Sequence, residues 1–274
     1  MHRLLRLVGT LVIVLTLVAC GGDSTTTGSQ PANNPAPTSA APAPVTIKKA
    51  EFAENVQEQT PVNPGSDFTP TETVFLALTL SGRPKSGLLS TEFFWHDDAI
   101  VSATLDLAET NGGILFSIGQ DTFAHFNFTH EKPLPISGAY RADVSLNGTK
   151  LGSYPFAVVP PADAVPSKLL NATLAEDNDE NYAPVNPTTN FAPDQKVVLA
   201  GTADLGLSTW IQAEWYIGGK IQDAGTRSFT MQENKSATPF SFSFLPEGGW
   251  PMGTHELVVL INDKEAGRYP FTIK

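Results

Sequence analysis

A long internal repeat constrains this chain more than any other feature. Pro61-Val62-Asn63-Pro64, Phe68-Thr69-Pro70 and Val74-Phe75-Leu76-Ala77 return as Pro184-Val185-Asn186-Pro187, Phe191-Ala192-Pro193 and Val197-Val198-Leu199-Ala200, at a constant offset of 123. Later landmarks return at an offset of 115: Gly138 with Gly253, Asn147 with Asn262, Gly152 with Gly267, and Tyr154-Pro155-Phe156 with Tyr269-Pro270-Phe271. Spacing kept over so many positions predicts two copies of one fold. A unit longer than a hundred residues is a duplicated domain; solenoid units are shorter. The copies are expected at 45–159 and 168–274. Pro160, Pro161 and Pro166 make the intervening 160–167 a semi-rigid linker.

Each copy reads as short alternating strands. Ala142–Leu146 alternates small or apolar with polar residues, Asn147-Gly148 is a type I′ turn signal, and Lys150–Val158 returns as the partner strand. Leu257–Ile261 and Arg268–Ile273 repeat this hairpin, with a longer turn expected over Asn262-Asp263-Lys264-Glu265. Thr91–Trp95 and Ile211–Trp215 are earlier strands, each with a Trp at its end. No long stretch has a helical period. The expected class is all-β, with about seven strands per copy.

Ser137-Gly138-Ala139-Tyr140-Arg141-Ala142 resembles the G-x-Y-x-C stretch of immunoglobulin-like domains, with Ala142 at the cysteine position. The resemblance implies two tandem Greek-key β-sandwiches, Trp95 and Trp215 in their cores, and a tyrosine corner at Tyr140. The second copy departs from the pattern by placing His255 at the tyrosine position. Such a resemblance implies a fold and carries no activity with it.

The N-terminus reads as an address. Arg3 and Arg6 precede the apolar run Leu7–Ala19. Thirteen helical residues reach about 20 Å, short of the roughly 30 Å hydrocarbon core, so a signal peptide over residues 1–19 is expected. Leu17-Val18-Ala19-Cys20 resembles the lipobox of bacterial lipoproteins. That resemblance implies cleavage before Cys20, acylation of its sulfur and new amino group, and anchoring in the cell membrane or outer membrane, facing away from the cytoplasm. Residues 21–44 have no large apolar side chain, so 20–44 is expected to be a disordered tether.

Composition narrows the function. Cys20 is the one cysteine, which excludes disulfides and thiolate metal sites from both copies. The net charge of −11, more negative once Arg3 and Arg6 are removed, repels nucleic acid. Neither a nucleophile elbow nor HExxH appears. Gly112-Gly113 and Gly218-Gly219 lack the Lys-Ser/Thr that would follow in a phosphate loop. The four histidines after the signal peptide belong to no catalytic motif.

Three candidate sites stand out, each with a plainer reading. Glu176, Asp177, Asp179 and Glu180 are dense hard ligands that suit Ca²⁺, or a solvated acidic turn without EF-hand spacing. If Ile211, Ala213 and Trp215 face the core, strand alternation turns Trp210, Gln212, Glu214 and Tyr216 outward. An outward Trp among polar groups suits a sugar ring or a protein partner; the plainer reading packs it under a loop or against the other copy. Ser90 is read as its counterpart in the first copy. His96, Asp97 and Asp98, with His125 and His130, suit a metal or a plain strand end. The expected function is a non-catalytic, membrane-anchored module that binds an envelope protein or polysaccharide. An accessory or sensor subunit of an envelope enzyme or transporter, and a small hydrolase, are the rivals.

Overall fold

The computed structural model describes residues 45–82, 84, 86–108, 115–118 and 121–274. The expected signal peptide, Leu17, Val18, Ala19 and Cys20, the tether and Gly112-Gly113 lie outside the described residues. No described helix is long and apolar enough to cross a membrane.

The described residues form an all-β, sandwich-like structure. Before the linker lie β1 (Ile47–Gln57), β2 (Thr60–Pro64), β3 (Asp67–Phe68), β4 (Val74–Ser81), β5 (Leu88–Trp95), β6 (Asp98–Asp106), β7 (Leu115–Ile118), β8 (Asp121–Phe128), β9 (Ser137–Leu146) and β10 (Thr149–Val158). After it lie β11 (Lys168–Asn178), β12 (Pro184–Pro187), β13 (Asn190–Phe191), β14 (Val197–Leu205), β15 (Trp210–Ile217), β16 (Lys220–Ile221), β17 (Arg227–Thr230), β18 (Lys235–Phe244), β19 (Gly253–Ile261) and β20 (Lys264–Ile273). The first ten make sheets ordered β2-β1-β4-β8-β7 and β3-β10-β9-β5-β6. The second ten make β12-β11-β14-β18 and β13-β20-β19-β15-β16, with β17 also on β15.

Alternation explains why each pair of sheets closes. In β4, Val74, Leu76, Leu78 and Leu80 are buried while the residues between them are only half-buried. They meet Phe93, Tyr140, Ala142, Val144 and Phe156 of the other sheet in one core. Burying each large apolar side chain contributes about 1.5–3 kcal/mol. A second, separate core gathers Val197, Leu199, Ile211, Trp215, Leu257 and Phe271.

Both hairpins form where the turn residues indicate. Asn147 (φ 50°) and Gly148 (φ 78°) close β9 on β10. The longer turn expected in the second copy is a correction: Asn262 (φ 50°) and Asp263 (φ 66°) alone close β19 on β20, because both short polar side chains tolerate the left-handed region. The residues that made that turn look longer are instead strand, with Ala266 skipped by the ladder just as Leu151 is skipped in the first hairpin. Further along, a Cβ on Gly152 would strike the Tyr154 ring and one on Gly267 the Tyr269 ring. That close approach accounts for the repeated Gly-x-Tyr.

Register also corrects the matched tryptophans. Phe93 faces Ala142 and Trp215 faces Leu257, the two partners being equivalent positions of the repeat. Phe93 is therefore the counterpart of Trp215, and both are fully buried. Trp95 corresponds to Ile217 and only packs against the edge of its core. By the same register Leu88, not Ser90, corresponds to Trp210.

The corner residues keep one function with different chemistry. Tyr140 donates its hydroxyl proton to the Pro135 carbonyl at 2.8 Å. Burial, and then the charge of Asp263, push its phenol far above the usual tyrosine range. His255, buried, donates from Nε2 to the Pro251 carbonyl at 2.7 Å. The missing tyrosine is thus replaced by a histidine making the same backward bond.

Candidate functional site

Residues of both copies meet beside the β5–β6 turn, within one compact unit that includes 45–274. His96 takes a left-handed φ of 53° there, its amide donating to the Ala139 carbonyl and its own carbonyl accepting from Arg141. This brings the imidazole Nε2 to 3.1 Å from Oδ1 of Asp263, in the β19–β20 turn. The other Asp263 oxygen accepts from the Ser137 hydroxyl. Backbone joins the same region, with the Ile136 amide on the Ser208 carbonyl at 3.0 Å. The linker is tied down as well: the Val165 amide donates to Asn234 Oδ1 at 3.2 Å.

Trp210 does not face solvent. The residue is 4% exposed, with Trp95 covering its ring edge to face at 5.2 Å and His96 at 5.5 Å. The alternation that placed it opposite Ile211 is right, but the other copy occupies the space. Its outward role as a stacking platform is corrected to a packing role. Gln212, Glu214 and Tyr216 do share that face and are half-buried. Glu214 accepts from Gln212 Nε2 and from the Tyr216 hydroxyl, both at 2.8 Å. The bond to Glu214 is the main reason the Tyr216 phenol titrates above its ordinary range.

Trp210, Gln212 and Glu214 border a cleft of about 430 Å³. Trp95, His96 and Asp98 form the wall from the first copy; Trp210, Gln212, Glu214, Ser228, Leu260 and Asp263 form the other. The volume suits a small ligand or one unit of a chain. Three carboxylates, an amide, an imidazole and a hydroxyl supply polar contacts, indole and leucine supply apolar ones, and the lining holds neither Lys nor Arg. Buried indole N–H groups of Trp95 and Trp210 have no hydrogen-bond partner among the described residues. A second cleft, of about 790 Å³, runs along the linker past Val158, Val165, Leu169 and Ile261, with Lys168, Lys264 and Glu265 among its polar lining.

The acidic run does not assemble a Ca²⁺ site. Glu176 and Asp177 lie in β11, where alternation sends successive side chains apart. Glu176 accepts from Asn186 and Asp177 from Lys196 at 3.0 Å, a bond that holds its carboxyl below the usual range. Asp179 accepts the backbone amides of Asn181 and Ala183, making a turn, and Glu180 is exposed in that turn. Among the described residues no group of three or more His, Cys, Asp or Glu is gathered for a metal. His125 lies against Phe75, and His130 bonds the Lys132 and Glu72 carbonyls, so neither joins His96.

Strand alternation put Gln212, Glu214 and Tyr216 on one face, of which Gln212 and Glu214 line the cleft and Tyr216 does not. It missed Trp95, His96, Asp98, Ser228 and Asp263 as neighbours, since the meeting of two turns from different copies leaves no local pattern in either.

No family model matches the chain, and no curated protein matches it. Among solved structures it is similar to red sea bream transglutaminase, at 10% identity, over 84% of this chain and 31% of that one, with a TM-score of 0.22. The chain thus spans less than a third of that protein's length, and a likeness at this TM-score carries no argument.

Proposed function

We propose that this chain is a lipid-anchored extracytoplasmic binding module, built of two immunoglobulin-like domains, whose shared cleft takes one unit of an envelope polysaccharide. The cleft carries the reading: polar acceptors and apolar ring edges stand side by side on walls supplied by both copies. With Asp98, Glu214 and Asp263 present and neither Lys nor Arg in its lining, it suits a neutral or amine-bearing sugar and repels a polyanion. Short β3 running parallel to β10, the Greek-key order of the first two sheets and the bond from Tyr140 to Pro135 support the immunoglobulin-like assignment. Anchoring through an acylated Cys20 rests on the lipobox, and 20–44 would hold the module off the membrane.

A glycan array probed with residues 45–274 tests the binding reading. Retention of neutral or amine-bearing glycans, lowered at least tenfold in Gln212→Ala/Glu214→Ala with the melting temperature unchanged, is the expected result. Indifference of every retained glycan to that double change would refute it. Metabolic labelling with a fatty acid tests the anchor: label lost in Cys20→Ser is expected, and label that persists rules it out.

A further inference from the structure

We infer that the outer edge of β6 is a docking strand for an extended peptide with an apolar centre and basic flanks. The docking edge does not depend on the cleft, although Asp98 borders both. Sheet β3-β10-β9-β5-β6 ends on β6, which pairs only with β5 among the described residues.

Leu107 donates its amide to the Gly87 carbonyl, which fixes the phase of that ladder. Alternation then turns the backbone groups of Val101, Ala103 and Leu105 toward β5, and those of Ser102 and Thr104 outward. Both outward residues are exposed. Their N–H and C=O groups are the template that strand addition uses.

The remaining sheet edges are guarded in ways this one is not. An edge is ordinarily blunted by brevity, Pro, Lys or a break. Strands β3, β13 and β16 have two residues each and β7 has four. Prolines interrupt β2, β12 and β18, and β18 also opens on Lys235. Where β6 would recur, the second copy has only β16 and the short β17, with Gln222–Thr226 turned out between them. β6 has nine residues with neither Pro nor Lys. Its one irregularity, at Ile100, leaves Val101–Asp106 in register.

Side chains specify the partner. Ile100 and Val101 are 42% and 37% exposed, an apolar centre for cross-strand contact. Asp97 and Asp98 stand at one end of the strand and Asp106 at the other. A strand with Lys or Arg at both ends complements this pattern, whereas a second copy of the acidic chain opposes like charges.

The test uses the whole mature chain with Cys20→Ser, so that it stays in solution. Its probe is a fluorescent peptide of five alternating Val and Thr residues with two Lys at each end, followed by polarisation. The expected result is saturable binding, at least tenfold weaker in Ser102→Pro and unchanged in Ser102→Ala. Ser102→Pro removes an outward N–H and no bond to β5. In the unaltered chain, added peptide should slow amide exchange at Ser102 and Thr104, a readout that needs no variant to fold. Absence of binding, equal binding of a peptide with Glu at its ends, or slowed exchange only outside β6 overturns the proposal. So does a dimer of the chain abolished by Ser102→Pro, which would assign the edge to a second copy.

Discussion

Trp210 meets Trp95 edge to face, with ring centroids 5.2 Å apart and planes at 76°. One ring comes from the second copy and the other from the first. Truncating Trp210 to Ala empties a buried volume and should cost about 3 kcal/mol, at the low end for a buried Trp because part of the site can collapse. Calorimetry of 45–274 checks this. The account expects a lower melting temperature and, with the contact gone, separation of the unfolding into two transitions.

The repeated turn asparagines tie each hairpin to the neighbouring strand. Asn147 Oδ1 accepts the Leu88 amide at 2.9 Å, and Asn262 Oδ1 accepts the Trp210 amide at 3.0 Å, both residues sitting at φ 50°. Replacing Asn147 by Ala loses the bond and strains the backbone, for an expected loss of about 2 kcal/mol. Asn147→Gly restores the backbone freedom and should lose about half as much. Denaturant midpoints of the two variants make the comparison.

Tyr140→Phe removes one buried hydrogen bond and leaves the Pro135 carbonyl without it. The expected cost is about 1–2 kcal/mol. His255→Phe should cost about as much in the second copy, since its Nε2 proton serves the Pro251 carbonyl in the same way. Urea unfolding reads both; a neutral His255→Phe would show that the histidine is not a corner residue.

Burial lowers the His125 pKa from 6.5, so its folded form holds the neutral imidazole. The unfolded state then binds the proton more readily, and stability from this group is complete above about pH 6.5 and falls as pH drops below it. Half-exposure keeps the effect small. The melting temperature of His125→Gln should accordingly fall less than that of the parent between pH 7.5 and 5.5. An equal fall in both would contradict the sign.

Much of the architecture was legible because turn letters and alternation are local. Asn147-Gly148 places its hairpin without reference to anything distant, and Ala142–Leu146 states its buried face by alternation. Matching Trp95 to Trp215 by letter failed because ladder register, not residue identity, decides which side chain enters the core, and Phe93 holds that register. The role of Trp210 was hidden for a different reason. Alternation gives the side of a strand a residue takes but not what covers that side, and here a turn from the other copy does. The acidic run reads two ways because composition records how many carboxylates are near in sequence, whereas an extended strand and an Asp179 turn keep them apart.

Hydrogen-exchange footprinting of the mature chain against purified envelope polysaccharide addresses the shared cleft most directly. Slowed exchange on both of its walls, at Trp95–Asp98 and at Trp210–Glu214, is the result the account requires. Protection confined to a single copy, or none at either wall while the polysaccharide is bound, would contradict it.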